Sequence, residues 1–204
     1  MKKTVHGVVA LLLVFGWLSL AVAAEHPAQE LAVGTSQKII AKIKADRAAI
    51  DQEPELLTKM VEEIVLPHFD FTKMASWVLG KYWRKADDKQ KARFTEEFRQ
   101  LLVRTYSKAL LEAVDKKITY LPLRGDPTQD DITVRTEVEQ PGAFPLPIDY
   151  KMHEKDGAWK VYDVVIDNIS IVSNYRSSFS SQIRKDGIDK LIASLADRNS
   201  KGKE

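Results

Sequence analysis

Hydrophobic positions change their spacing near residue 118, which divides the chain into a helical part and a strand-rich part. From 28 to 113, apolar residues recur every three or four positions, as on one face of a helix. From Ile118 they recur at every second position, as on one face of a strand. Helical spacing returns after a predicted cap at Ser173 and Asn174. The predicted order is four helices, four strands and two helices.

Proline, glycine and capping residues set the bounds of the first four predicted helices. These helices cover 29–50, 54–66, 70–80 and 88–114. The last is the longest and begins with the capping-box pair Asp87 and Gln90. Its apolar residues cover an arc wider than the ~100° that a surface helix needs for one core contact. This helix must therefore face an apolar surface over a broad sector.

The four predicted strands are joined by short turns, which indicates an antiparallel sheet. They cover 118–123, 132–139, 148–152 and 159–171. Helices that pack on a curved four-stranded antiparallel sheet form an α+β domain.

The longest predicted strand, 159–171, carries large apolar side chains on both faces. Regular alternation places Val161, Asp163, Val165 and Ile169 on one face. Together with the broad apolar arc of the helix at 88–114, this strand suggests an internal ligand cavity.

Residues 1–24 have the pattern of a signal peptide. Lys2 and Lys3 precede an apolar run from Val8 to Leu20, and small residues follow at 21–24. The remainder, 25–204, is predicted to be a single exported domain.

Export changes the charge balance of the chain. The whole sequence has 31 basic and 29 acidic residues, and loss of Lys2 and Lys3 leaves 29 of each. This balance gives no basic footprint for a nucleic acid. The sequence has no cysteine, so neither a disulfide nor a nucleophilic thiol is available.

Motifs for metal binding and catalysis are missing from the sequence. The four histidines lie far apart, and no phosphate-binding loop, dinucleotide fingerprint or nucleophile elbow is present. Asp163 is the one candidate for acid–base chemistry, because alternation places it among apolar residues, where a carboxyl can have a raised pKa. The alternative, which the pattern favours, is a structural Asp163 that pairs with Arg176 or Arg135 or accepts backbone hydrogen bonds.

Two long blocks of sequence resemble the MlaC family, also called toluene-tolerance auxiliary proteins. The first is P-H-F-D-F-T-K-M-A-S-W-V-L-G-K-Y-W-R-K-A at 67–86, and the second is W-K-V-Y-D-V-V-I-D-N-I-S-I-V-S-N-Y-R-S-S-F at 159–179. Shorter similar stretches lie at 94–106 and 187–192. One departure is Asp167-Asn168, where the family commonly has a Glu-Gly-like pair. Because Asn tolerates left-handed backbone, a bend is still expected there.

The resemblance implies a phospholipid carrier in the periplasm of a Gram-negative bacterium. Such a carrier moves lipid between an outer-membrane lipoprotein–porin complex and an inner-membrane ABC transporter complex that includes a lipid-binding ring protein, and so maintains outer-membrane lipid asymmetry. The implied fold resembles the nuclear-transport-factor-two-like cone with an internal lipid pocket. The expected protein is a monomer with a phospholipid cargo, no cofactor, no metal and no catalytic residue.

The predicted lipid-binding wall combines apolar residues from the helices and strands that these patterns identify. It comprises Met74, Trp77, Val78, Phe98, Leu101, Leu102, Tyr106, Leu121, Leu123, Val134, Val138, Phe144, Tyr150, Met152, Val161, Val165, Ile169, Ile171, Tyr175 and Phe179. Phe144, in a proline-rich loop, is predicted to lie at the pocket edge or to contact a partner complex.

A second function comes from another class of protein. The same cone fold hosts enzymes of the ketosteroid-isomerase type, in which a pocket Asp acts as base beside a Tyr donor. Asp163 with Tyr120, Tyr150 or Tyr175 would supply those groups here. Fold similarity alone does not decide between a carrier and such an enzyme.

Overall fold

A computed structural model of the protein describes residues 26–124, 126 and 128–201. The predicted signal peptide at 1–24 lies outside these residues. The helices are α1 (Pro27–Ala45), α2 (Arg47–Gln52), α3 (Glu55–Ile64), α4 (Phe71–Leu79), α5 (Asp88–Ala113), α6 (Ile171–Asp186) and α7 (Ile188–Lys201). The strands are β1 (Ile118–Tyr120), β2 (Asp131–Val138), β3 (Leu146–Lys155), β4 (Ala158–Ile166) and β5 (Ile169–Ser170). In the part of the chain described, no helix combines the length and apolar character needed to cross a bilayer.

The strands form one sheet in which each strand pairs with its neighbours in sequence, in the order β1-β2-β3-β4-β5. All pairings between strands are antiparallel. The α+β prediction is therefore confirmed, with a fifth strand that the sequence pattern did not separate from the fourth. In the helical part, the predicted helix at 29–50 is two helices that meet at Asp46.

A two-residue turn interrupts the strand that was predicted to continue to residue 171. Asp167 and Asn168 have positive φ values of 48° and 64°, the backbone sign typical of tight hairpin turns. The turn returns the chain so that Ile169 pairs with Ile166. The predicted uninterrupted strand is wrong, because apolar residues continue to alternate through Ile169 and Ile171 although the chain reverses its direction between Ile166 and Ile169. The bend that was expected at 167–168 is present.

Helix α6 begins earlier than predicted. Its N-cap is Ser170, whose hydroxyl accepts a hydrogen bond from the Ser173 amide at 3.0 Å. The predicted cap at Ser173 and Asn174 lies inside the helix. The residues preferred at caps occur in both places, so residue type alone did not identify the first turn.

A β-bulge at Tyr162 changes the direction of the side chains along β4. Met152 pairs with Val161, but Lys151 pairs with Asp163, so Tyr162 is the extra residue on β4. Paired residues project to the same face of an antiparallel sheet. Val161 therefore shares the inner face with Val164, whereas Asp163 lies on the outer face.

Two clusters of buried apolar residues form the core. The larger cluster joins the inner face of the sheet to α4, α5, α6 and α7. The smaller cluster joins α1, α2 and α3 to the end of α5 through residues such as Ile43, Leu57 and Val114. The space between the two clusters contains the cavity described below.

Asp70 fixes the start of α4 against the sheet. Its carboxylate accepts a hydrogen bond from the Lys73 amide at 3.0 Å and contacts the Lys155 ammonium at 2.9 Å and His153 Nε2 at 3.2 Å. Burial by itself raises the pKa of this carboxyl, but the hydrogen bonds and the nearby positive charges outweigh it, so the pKa of Asp70 lies below its ordinary value. Because α4 also bounds the cavity, this contact positions one of its walls.

Candidate functional site

A partly open cavity of about 270 Å³ lies between the two core clusters, bounded by the inner face of the sheet and by α1, α3, α4 and α5. Most side chains that line it are apolar, and they come from both clusters. For example, Ile39 and Ile43 of α1 belong to the smaller cluster, and Met152 and Val161 of the sheet belong to the larger one.

A space of this size is not an ordinary packing defect, because protein interiors have few voids larger than a water molecule. Its apolar wall is poorly suited to water. An apolar ligand that filled the cavity would remove this wall from water, which is favourable by about 25 cal/mol per Å² of apolar surface.

Several polar groups at the cavity have partners within the protein. Ser107 donates to the Val103 carbonyl of its own helix, the Tyr106 hydroxyl interacts with Tyr175, and Ser36 interacts with Tyr120. Burial raises the pKa of Tyr150 to about 12, so this hydroxyl is neutral at ordinary pH. The site offers mostly apolar surface with a few hydroxyls, which suits a hydrocarbon ligand better than a reacting polar one.

Part of the predicted lipid-binding wall lines this cavity. These residues come from α4, α5, α6 and strands β2, β3 and β4. They are Met74, Leu102, Tyr106, Val138, Tyr150, Met152, Val161 and Ile171.

Other predicted wall residues lie in the larger core cluster, where they pack protein against protein. They are Val78, Phe98, Leu101, Val134 and Phe179, which are buried, and Leu123 and Tyr175, which are half-buried. The ring of Phe98, for instance, contacts the rings of Tyr175 and Phe179 at centroid distances of 5.3 and 6.3 Å. The aromatic residues of α6 thus fill a core next to the cavity. The remaining predicted wall residue of this region, Leu121, follows β1 and is half-buried, and it does not line the cavity.

Two predicted wall residues lie on the surface of the helical and loop regions. Trp77 is 44% exposed and packs edge-on against Tyr162 at 5.0 Å. Phe144 is 94% exposed in the β2–β3 loop. Neither side chain lines the cavity.

Val165 and Ile169 are absent from the cavity wall because strict alternation fails on β4. After the bulge at Tyr162, Val164 and Ile166 face the cavity, and Val165 turns to the outer face. Ile169 lies beyond the hairpin turn and is 61% exposed. The assignment of both residues to one continuous inner face with Val161 is wrong for this reason.

Asp163 lies on the outer face, where it holds the start of α6. It accepts hydrogen bonds from the Ser170 hydroxyl at 2.7 Å and the Val172 amide at 3.2 Å, and it pairs with the Lys151 ammonium at 3.3 Å. The side chain is 3% exposed. These partners include the backbone hydrogen bond expected from the sequence, but a lysine replaces the expected arginine. An enzyme with Asp163 as a base inside the pocket does not fit this position.

Arg176 packs over a backbone turn instead of pairing with Asp163. Its guanidinium covers Gly80, where an added Cβ would lie 3.1 Å from Nε. Gly80 has φ of 53° and ψ of −119°, a conformation that other residues rarely adopt. The contact therefore joins α6 closely to the end of α4.

Helices α1 and α3 supply much of the wall, which the sequence pattern did not predict. Their lining residues are Leu31, Ala32, Thr35, Ser36, Ile39, Ile40, Ile43 and Val61, and Val65 follows as the C-cap of α3. The signal was the four-residue spacing of Leu31, Thr35, Ile39 and Ile43, a narrow apolar stripe interrupted by small polar residues. Such a stripe also fits an ordinary surface helix, so pattern alone did not distinguish the two.

Comparison with known proteins finds a matching family model and similar curated sequences. A family model described as "MlaC protein" matches residues 34–197. The chain is 27% identical over 202 residues to the toluene tolerance protein Ttg2D of Pseudomonas putida, covering 98% of this chain and 92% of that one. It is 28% identical over 163 residues to the intermembrane phospholipid transport system binding protein MlaC of Haemophilus influenzae, covering 78% and 76%.

A solved structure shows a similar fold. It is a phospholipid-binding protein from Ralstonia solanacearum in complex with a phospholipid, 27% identical in sequence. The TM-score is 0.79, over 87% of this chain and 99% of that one.

Proposed function

Because the chain belongs to the MlaC protein family, we propose that it is a periplasmic phospholipid carrier that holds the acyl chains of its cargo in the cavity. The observation that carries this proposal is the apolar cavity between the two core clusters. The similar Ralstonia solanacearum protein, which was solved with a phospholipid, supports it.

The physical need for a carrier follows from the hydrophobic effect. A diacyl phospholipid has roughly 30 methylene groups, and exposure of both chains to water is unfavourable by on the order of 20 kcal/mol at about 0.8 kcal/mol per methylene. A cavity that replaces most of the contacts of the bilayer removes this barrier. The process needs neither a catalytic residue nor a cofactor.

Lipid analysis of the purified protein tests the proposed function. We expect organic extracts of the folded protein to contain phospholipid in a near-stoichiometric amount by mass spectrometry. Folded protein from which no phospholipid can be extracted, and which takes up none from vesicles, would contradict the proposal.

The proposed partners are the two membrane complexes that the family resemblance implies, an outer-membrane lipoprotein–porin complex and an inner-membrane ABC transporter complex with its lipid-binding ring protein. The proposed carrier is a monomer between encounters. Two exposed apolar side chains, Phe144 and Ile169, lie at the same end of the sheet, where Asp167 donates a backbone hydrogen bond to Pro147. This end is the proposed contact surface.

Substitution of Phe144 tests that surface. Phe144→Ser is expected to slow lipid transfer to an acceptor complex severalfold, because the variant lacks an exposed aromatic group of the kind that often anchors interfaces. The melting temperature and the bound lipid should stay unchanged, since Phe144 contacts neither core cluster nor the cavity. Transfer is measured with fluorescent lipid. Phe144→Leu, which retains an apolar group, is the control, and equal rates for all three proteins would remove this loop from the mechanism.

A further inference from the structure

We propose that a groove beside the cavity binds the phosphate-containing head group of the lipid and favours head groups with a net negative charge. This inference rests on the proposed function, because it requires acyl chains in the cavity. The groove lies between the start of α1, the turn before α4 and the β3–β4 hairpin. It is lined by Pro27, Leu31, Pro67, His68, Ala158, Trp159 and Lys160.

The groove adjoins the cavity directly. Leu31 and His68 line both spaces. Lys160 of the groove is followed in β4 by Val161 of the cavity. A lipid with its acyl chains against Val161 can therefore place its glycerol near His68 and its head group in the groove.

Two lysines, Lys160 and Lys38, lie near this junction. Lys160 donates to the Pro67 carbonyl at 2.6 Å, which holds its ammonium beside His68. Lys38 lies seven residues after Leu31, on the same side of α1. Burial first, and then the charges of Lys160 and Lys38, lower the pKa of His68. Both lysines therefore lie within electrostatic reach of this ring.

The groove lacks acidic residues among the described side chains that line it. A phosphate there would gain attraction from Lys160 and Lys38 and a hydrogen-bond partner in His68, and no lining carboxylate would repel it. A head group that also carries an ammonium would lose part of this attraction by repulsion from the same lysines. Trp159, which has an apolar ring and one polar N–H, suits the boundary between acyl chain and head group.

Competitive loading tests the preference. Lipid-stripped protein is incubated with vesicles of equimolar phosphatidylglycerol and phosphatidylethanolamine, and the bound lipids are counted by native mass spectrometry. We expect about a two- to fivefold excess of phosphatidylglycerol, the range that exposed ion pairs provide. Lys160→Gln and Lys38→Gln should each move the ratio toward one without loss of total lipid. Lys38 is exposed on α1, so its replacement is the safer variant if loss of the Lys160–Pro67 bond disturbs folding.

A matched control makes the comparison specific. Lys89→Gln removes the same charge from an exposed site at the start of α5. This variant should keep the wild-type ratio.

The outcomes separate the two proposals. Equal uptake of both lipids by the wild-type protein, or a preference that neither lysine substitution changes, would overturn the head-group site alone. Calorimetry with inorganic phosphate tests whether the groove is a site for free phosphate instead. If the lysine substitutions abolish phosphate binding but leave the ratio of bound lipids as in the wild-type protein, the head-group site is also overturned. Uptake of neither lipid by the wild-type protein would contradict the carrier function itself.

Discussion

Ile148→Glu is expected to reduce the bound phospholipid at least tenfold while the protein stays folded. Ile148 is half-buried on β3, lines the cavity and pairs with Ile166 of β4, which also lines it. A carboxylate at this position would meet the acyl chains, and desolvation of its charge against hydrocarbon is unfavourable by several kcal/mol. Water can enter the cavity around the carboxylate when lipid is absent, so the fold need not be lost.

Ile169→Glu is the matched control for this experiment. It introduces the same change on an isoleucine that is 61% exposed and does not line the cavity. Circular dichroism and lipid mass spectrometry on one preparation report folding and occupancy together. If Ile148→Glu is folded and fully loaded, the cavity is not the lipid site.

An uncharged variant covers the case in which Ile148→Glu does not fold. Thr35 is half-buried on α1 and lines the cavity, so Thr35→Trp would occupy the space without burying a charge. It should exclude lipid and retain stability, because the indole replaces apolar contacts that the lipid would make. Full lipid occupancy in folded Thr35→Trp would also contradict the proposal.

Asp163→Asn is expected to lower the free energy of unfolding by about 2–4 kcal/mol, the range for removal of one partner of a buried, hydrogen-bonded charge. For a chain of this length, that is a decrease of roughly 5–15 °C in Tm. The amide has one acceptor oxygen, and therefore cannot satisfy Ser170, Val172 and Lys151 as the carboxylate does. Ser170 is also the N-cap of α6, so the start of that helix should loosen.

Lipid content separates this structural role from a role in the pocket. Because Asp163 lies on the outer face of the sheet, folded Asp163→Asn should keep its phospholipid. Asp149→Asn is the control, a half-buried carboxylate on the same outer face, and should change stability by less than 1 kcal/mol. Urea unfolding measures both. Equal stabilities for Asp163→Asn and wild type would contradict the helix-capping role.

The sequence predicted the fold class because its periodic segments are long and well bounded. Helix α5, with its capping box at Asp87 and Gln90, was identified almost to the residue. Capping and turn residues also placed α4, which was predicted at 70–80 and has Asp70 as its N-cap and Gly80 as its C-cap. In these segments, the helix bounds that capping and turn residues predict are the bounds that the folded protein has.

The cavity wall was harder to predict, because it depends on two local events that periodicity does not show. The bulge at Tyr162 and the turn at Asp167 and Asn168 each change which side chains face inward, although the apolar alternation continues through both. In addition, a wide apolar arc on a helix does not show which of its side chains line a cavity and which pack in a filled core. Phe98 and Leu102 lie on the same helix stripe, but only Leu102 reaches the cavity.

The bulge at Tyr162 has a consequence for insertions and deletions in this strand. Deletion of Tyr162 itself would restore regular alternation while Val161 and Asp163 keep their partners Met152 and Lys151, so every side chain after it would keep its face. Deletion of Val164 with the bulge retained would instead turn Val165 toward the cavity and Ile166 away from it. The strand therefore tolerates loss of its extra residue, whereas loss of a paired residue beyond the bulge exchanges the inner and outer faces. Sequence alignments of this segment should place a one-residue gap at the bulge, since a gap at a paired position assigns outer-face residues to the cavity.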